Sequence, residues 1–273
     1  MRFLRGIELR FRQYRDRHYS VLSLDRDLSA IGLDKLKSNM GSDSNETSLL
    51  KIGEAVYSTY CGSSKNKTLI NIRISSDIPH YFVSNNDDIL LKAEALGWRA
   101  IKLELPVFEN RVLSAYQAKI AKAVPHIFSE LNKHRYLMYA DDKLYVDPKL
   151  IGGLIEQQGG VGFSLLLREH NFLNRNILQE FAEALGQKRY RVLRDRMIKF
   201  INEQVNGGLR LDCDKLFWTS AILRDNSHPD TVKINEEWYL SILKCGINCQ
   251  LSFNFLAQKY DSIATMSNQT LIN

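Results

Sequence analysis

No run of the roughly 18–20 apolar residues that a membrane span needs occurs in this chain of 273 residues. Residues 1–20 interleave arginine with apolar residues and lack the continuous apolar stretch of a secretory signal. Without one, the sequons at 45–47 and 66–68 read as chance. Cysteine is scarce. Cys61, Cys213, Cys245 and Cys249 form no CxxC pair, and no second Cys/His pair joins Cys245 and Cys249 in a zinc set. Reduced thiols in a cytoplasmic protein are the expectation, with room for a peripheral place at the inner face of a membrane. RNP, KH and helix-turn-helix signatures are absent, so nucleic acid is not an expected partner. No internal repeat occurs.

What is present is enough for a large core: 44% of residues are hydrophobic and 25% charged, values that exclude general disorder. The length exceeds a usual domain of roughly 100–200 residues but suits one α/β domain. The charge excess is basic, 37 Lys plus Arg against 31 Asp plus Glu, or +6. Such a balance favours anionic partners (phosphorylated small molecules, acidic lipid surfaces or nucleic acid) and does not by itself choose among them.

At the N-terminus Arg2, Arg5, Arg10, Arg12, Arg15 and Arg17 alternate with Phe3, Leu4, Ile7, Phe11 and Tyr14 at helical spacing. A basic amphipathic helix of this kind either lies on an anionic membrane or packs on a domain with its arginines in water. The small polar residues 37–48 read as a linker, which divides the chain into a basic extension (1–49) and a main domain (50–273).

Within that domain strand and helix signals alternate. Strands are expected at 54–62, 80–85, 98–105, in the YLMYA run, at 160–170 and at 216–225. Helices are expected at 109–131 (ended by Pro125), after Asp147-Pro148, at 176–205, and at 234–246 closed by Gly246. The alternation predicts an α/β fold with a mostly parallel central sheet flanked by helices. Ligands then bind outside the carboxyl ends of the strands.

Asp141 and Asp142 lie there, straight after YLMYA, with Lys143 following. Carboxylates at the end of a buried strand are costly unless a cation or strong donor holds them. They suit a hard divalent ion on a diphosphate, or else a solvated strand-end turn. Read as a dense acidic cluster, they predict that removing Asp141 relieves repulsion. Arg111 and Lys119 lie about two helical turns apart and face either one diphosphate or water. The Arg-rich stretch 187–199 reads as a solvated face, and Trp218 and Trp238 read as core aromatics.

Residues 57–255 resemble a glycosyltransferase-like family shared by bacteria and plants, of the GT-A type. The similarity is carried, in order, by VYSTYCGS, HYFVSNND, Trp98 in GWRAIKLE, Arg111, Lys119, RYLMYADDKLYVDP, LLLREHNFLNRNILQEFAEA, AILRD, EEWYLSIL and NCQLSF. Two departures stand out: Asp142 replaces a family Gly, and Asn248-Cys249-Gln250 replaces Arg-Asp-Gln.

The resemblance implies transfer of a sugar from a nucleotide-sugar donor to a glycan or lipid-linked acceptor. It also implies a divalent ion, Mn²⁺ or Mg²⁺, on Asp141 and Asp142. Donor contacts fall to Tyr57, Thr59, Arg111, Lys119, Lys143, Arg224 and Gln250. Asp141 and His170 take substrate roles, and Asp225 or Glu169 stands in as base for the acid that Cys249 displaces. A non-catalytic nucleotide-sugar or carbohydrate-binding protein with the same fold is the alternative.

Overall fold

Short apolar runs too brief for helices become the strands of one sheet. The computed structural model describes residues 28, 31–39, 51, 53–64, 74, 77–142, 144, 146–158, 162–170 and 175–266. The chain divides into two compact units, Met1–Gly41 and Ser42–Asn273. In the first, helix α1 (Leu33–Asn39) is described; it takes in residues 37–39 of the expected linker. The arginine-rich segment 1–22 lies outside the described residues. Among the described residues no helix is long and apolar enough to cross a membrane.

Among the described residues of the second unit are seven strands: β1 (Glu54–Thr59), β2 (His80–Ser84), β3 (Arg99–Lys102), β4 (Tyr136–Ala140), β5 (Leu165–Glu169), β6 (Phe217–Asp225) and β7 (Ile263–Met266). Their order is β3-β2-β1-β4-β6-β5-β7. Strands β3, β2, β1 and β4 run parallel, as do β5 and β7. Among these strands β6 is the reversed one, antiparallel to β4 and β5. The expected α/β architecture, a mostly parallel central sheet flanked by helices, is what the chain adopts. The reversal of β6 carries no sequence signal, because a strand buried on both faces reads as one apolar run in either direction.

Helices cover both faces. Helix α2 (Asp87–Ala95) packs Ile89, Leu90 and Ala93 near Phe82 of β2. Helix α3 (Arg111–Ala123) starts at Asn110, whose side chain accepts from Val112 N and Leu113 N. It buries Leu113, Tyr116 and Ile120 and stops before Pro125, as expected. A 3₁₀ turn (Pro125–Ile127) and α4 (Ser129–Asn132) lead into β4. Helix α5 (Lys149–Glu156) sets Ile151 and Leu154 against Met138, Leu166 and Leu223 on one sheet face. Asp147 accepts from Lys149 N at its start.

The single helix expected at 176–205 is three: α6 (Ile177–Ala184), α7 (Lys188–Arg191) and α8 (Arg194–Asn206). Gln187 is extended, with φ −98 and ψ 134, and breaks the first from the second. Helix α9 (Asp230–Cys245) ends at Gly246, whose φ of +122 admits glycine readily. Helix α10 (Cys249–Leu256) is buried nearly all round and so has no amphipathic period to betray it. A 3₁₀ turn (Ala257–Lys259) leads to β7.

Candidate active site

At the carboxyl edge of β1 and β4 the chain encloses a cleft of about 1210 Å³. α3 lines it on one side; α6, α7 and the start of α10 line others. This is the edge at which an open α/β sheet binds ligands. The turn after β1 is held close to α3 by Gly62. A Cβ there would meet Ser114 Oγ at 2.6 Å, and its φ is +111. Its N–H donates to Asn85 Oδ1 at 3.0 Å, and its carbonyl accepts from Asn86 Nδ2 at 2.9 Å.

Asp141 forms the centre of the floor. Its backbone N–H continues the sheet to Ser220 O at 2.8 Å. Its Oδ1 accepts from Tyr139 Oη at 2.6 Å and from Lys122 Nζ at 3.0 Å. The Lys122 side chain is 3% exposed, whereas that of Asp141 keeps 39% of its surface open. Burial would push the Asp141 carboxyl up. Lys122 and then Lys119, with hydrogen bonds from Tyr139 and Lys122, outweigh it and hold the group below its ordinary value. Asp141 is therefore a carboxylate over the physiological range. Lys122 also lies 4.8 Å from the centroid of the Tyr139 ring.

Beneath this pair lies Arg224, fully buried in β6. It donates to Asn235 Oδ1 at 2.9 Å, Tyr57 Oη at 3.1 Å and Lys122 O at 2.7 Å. No carboxylate balances it among these partners, and burial lowers its affinity for the proton. Burial likewise pushes the Tyr57 hydroxyl up to about 12, against the pull of Arg224. Direct donor contact, expected of both residues, does not fit this placement. Tyr57 and Arg224 are sealed below the floor, outside the cleft lining, and fix the backbone of the residue that holds Asp141.

Four expected donor residues line the cleft: Thr59, Arg111, Lys119 and Gln250. Thr59 Oγ1 donates to Val83 O at 3.0 Å. Asp142 lines the cleft too. Lys143 lies outside the described residues. His170 follows β5 at the same edge, its N–H bonded to Leu216 O at 2.7 Å, but it is not part of the cleft lining. Its ring lies 6.0 Å from that of Trp218, and burial lowers its pKa. Glu169 is also outside the lining and pairs with Arg175 at 3.6 Å.

Asp225 is misplaced for a base. Because β6 is reversed, Asp225 pairs in register with Tyr136, at the opposite end of β4 from Asp141. That is roughly 16 Å away at about 3.3 Å per residue. Its Oδ1 accepts from Ser227 N at 2.9 Å, and Arg135 lies 3.5 Å from Oδ2.

Four residues join the site without a sequence signal strong enough to single them out. Lys122 sits in AKIAKA, one turn after Lys119, with no spacing that sets it apart from other helix charges. Glu180 belongs to the acidic helix after LLLREH; it accepts from Asn248 Nδ2 at 3.0 Å and from Gln250 Nε2. Burial raises its pKa against those two hydrogen bonds. Trp218 lines the cleft, with the Arg168 guanidinium 4.8 Å from its ring centroid, and is not a core aromatic. Trp238 is one, fully buried and donating to Cys249 O at 3.0 Å. Ser220 lines the cleft, and its buried hydroxyl has no hydrogen-bond partner among the described residues. A ligand hydroxyl or phosphate would supply the missing partner.

Cys249 is in the lining, its Sγ 3.5 Å from Thr219 Oγ1. Burial would raise the thiol's pKa; Lys119 and Lys122 outweigh it and bring the pKa down.

The expected divalent ion would have to share Asp141 with the Lys122 ammonium, although Asp142 lines the same cleft. Among the described residues no three His, Cys, Asp or Glu side chains converge as a metal group. The oxygen of Asp141 nearest α3 is already taken by an ammonium and a hydroxyl. A divalent ion on Asp141 would sit beside the Lys122 charge and be repelled by it.

No family model matches the chain. No curated protein matches it either. Solved structures do resemble it. The apo form of mouse xyloside xylosyltransferase 1 aligns over 78% of this chain and 84% of its own, at 11% identity and TM-score 0.46. The 4-diphosphocytidyl-2C-methyl-D-erythritol synthase of Anaerococcus prevotii DSM 20548 aligns over 80% and 88%, at 10% identity and TM-score 0.37. The bifunctional glycosyltransferase WbbM aligns over 78% of this chain but 38% of its own length, at 12% identity and TM-score 0.37. The functional reading therefore rests on the chemistry of the cleft.

Proposed function

We propose that this chain is a GT-A-like glycosyltransferase that moves a sugar from a nucleotide-sugar donor to a glycan or lipid-linked acceptor. The observation that carries the reading is the juxtaposition of Lys119, Lys122 and the ionised Asp141 at the carboxyl edge of the sheet. A cleft of about 1210 Å³ admits a donor and part of an acceptor together, since small-ligand pockets run to about 1,000 Å³.

In this reading the donor diphosphate lies against α3, where Arg111 and Lys119 meet its oxygens. Fixed cations aimed at the leaving nucleoside diphosphate stabilise the charge that develops as the glycosidic bond breaks. Asp141 accepts a hydrogen bond from a donor hydroxyl, and Ser220 offers another contact. Glu180 takes the base role, receiving the proton of the acceptor hydroxyl. Asn248 and Gln250 fix its carboxylate, and its raised pKa brings it closer to the operating range of a general base.

The test is release of nucleoside diphosphate from a panel of nucleotide sugars, run in Mn²⁺ and in chelator. Turnover of one donor, slowed on the order of 10²–10⁴-fold by Glu180→Gln, is the expected result. The second reading, a non-catalytic nucleotide-sugar or carbohydrate binder, is favoured by Cys249, which stands in the cleft where the resemblance calls for Asp. Tight binding with no turnover of any donor in the panel would establish it instead.

A further inference from the structure

We infer that the donor diphosphate is held here without a divalent cation, the buried ammonium of Lys122, seconded by Lys119, standing where such an ion would otherwise sit. The inference rests on the donor reading above and goes further, because that reading alone is neutral on how the phosphate charge is met.

Three features carry it. First, Lys122 is not an ordinary flexible lysine. Its side chain is 3% exposed, and its ammonium is pinned between Asp141 Oδ1 at 3.0 Å and the Tyr139 ring at 4.8 Å. Its backbone carbonyl is pinned from below by Arg224 at 2.7 Å. A positive charge fixed at both ends is preorganised, as a coordinated metal is, and costs no reordering when an anion arrives.

Second, one of the two oxygens of the carboxylate that a metal would need is already engaged. The described side chains engage Oδ1 of Asp141 twice, through Lys122 and Tyr139. Magnesium and manganese favour about six oxygen ligands. Asp142 lines the same cleft, but an ion shared by the two carboxylates would sit against the Lys122 ammonium and be repelled by it.

Third, the cations are arranged for an extended anion. Lys119 lies one turn before Lys122 on α3, and Arg111 opens the same helix; all three line the cleft. Small residues, Ala115 and Ala118, line it between them, leaving room for phosphate oxygens to approach. An ammonium has three donors, of which Asp141 takes one, so Lys122 retains capacity for a phosphate oxygen. Ser220 adds a buried hydroxyl that lacks a partner among the described residues.

The experiment is calorimetric titration of the full chain with UDP, GDP, CDP and ADP, each in chelator and in millimolar Mn²⁺. Paramagnetic resonance of Mn²⁺ serves as a second readout. Expected is one nucleotide whose affinity differs by less than about twofold between the two conditions. The free Mn²⁺ signal should fall no further with protein and nucleotide together than with nucleotide alone. Lys122→Met and Lys119→Met should each weaken that nucleotide in chelator by about tenfold or more. Lys119 is partly exposed, so its variant decides the matter even if Lys122→Met fails to fold. Binding that requires Mn²⁺, or folded lysine variants that bind as wild type in chelator, would overturn the inference and leave the donor reading standing. No binding of any nucleotide under either condition would overturn both.

Discussion

Asp141 and Asp225 look alike in the sequence, each a carboxylate at the end of an apolar run, YLMYA and FWTSAILR. The fold sends them to opposite edges of one sheet, because β4 and β6 run in opposite directions. At the far edge Asp225 is consumed by the structure. Its side chain is 12% exposed, it accepts from Ser227 N, it faces Arg135, and its carbonyl accepts from Thr231 Oγ1 at 2.6 Å at the start of α9. At the near edge Asp141 is held ionised by two lysines yet remains open to the cleft. The same local signal thus yields an anchor or a site according to strand direction. What marks the site is charge kept ready, with its partners fixed from beneath.

The largest expected effect comes from the residue between the two edges. Arg224→Met removes three hydrogen bonds from a fully buried guanidinium and leaves Tyr57 Oη, Asn235 Oδ1 and Lys122 O without that donor. At roughly 1 kcal/mol for each bond the loss is about 3 kcal/mol, read as a lower midpoint in urea with an unchanged slope. A variant of wild-type stability that has lost nucleotide binding would place Arg224 in the site. The division between floor and cleft would then be wrong.

Much of this architecture was legible in the sequence, and the unread part has physical causes. Strands β1 to β6, the end of α3 at Pro125 and the closure of α9 by Gly246 follow from apolar period and turn chemistry, which are local. The direction of β6 is not local, and with it went the placement of Asp225. Asp141, Arg111, Lys119, Thr59 and Gln250, picked out by the resemblance, line one cleft; their contact with a donor belongs to the proposal above. Lys122 and Glu180 were not picked out. Each sits on a helix beside other charges, and which of those charges faces water is decided by what packs opposite. Tyr57 and Arg224 match the motif order as well as Thr59 does, but their polar atoms turn inward, toward each other.

Asp141→Asn has the next largest effect and carries a pH signature. The sequence alone suggested that removing a carboxylate from an acidic cluster relieves repulsion. The structure reverses that sign, because the nearest charge is the Lys122 ammonium. Breaking a fully buried pair costs about 3–5 kcal/mol, and the open side of Asp141 reduces this to about 1–2 kcal/mol at neutral pH. The folded carboxyl lies below its ordinary value, so its stabilisation is present above the unfolded value of about 3.9. It is lost as pH falls through the folded one. The gap between wild type and variant in urea melts should therefore be constant near neutrality and close below about pH 4. A gap that persists unchanged into acid would mean that the carboxylate's charge does not stabilise the fold. Asp141 would then resemble the far-edge anchor.

The smallest effect belongs to Asp225→Asn, and it tests the comparison from the other side. Asparagine keeps the oxygen that accepts from Ser227 N, so the turn into α9 retains its hydrogen bond at 2.9 Å. The backbone bonds from Asp225 N to Ser164 O and from Thr231 Oγ1 to Asp225 O do not involve the side chain. What is lost is the charge pair with Arg135, at 3.5 Å to a guanidinium whose side chain is 50% exposed. Pairs so open to water contribute about 0.2–1 kcal/mol, so the shift in stability should stay below about 1 kcal/mol. Nucleotide affinity and any donor turnover should be unchanged, because the substituted group lies at the far end of β6 from the cleft. A folded Asp225→Asn variant with wild-type nucleotide binding but without turnover would put chemistry at both edges of the sheet. The base would then be Asp225, as its likeness to Asp141 in the sequence suggests, and Glu180 would be left as a structural partner of Asn248 and Gln250.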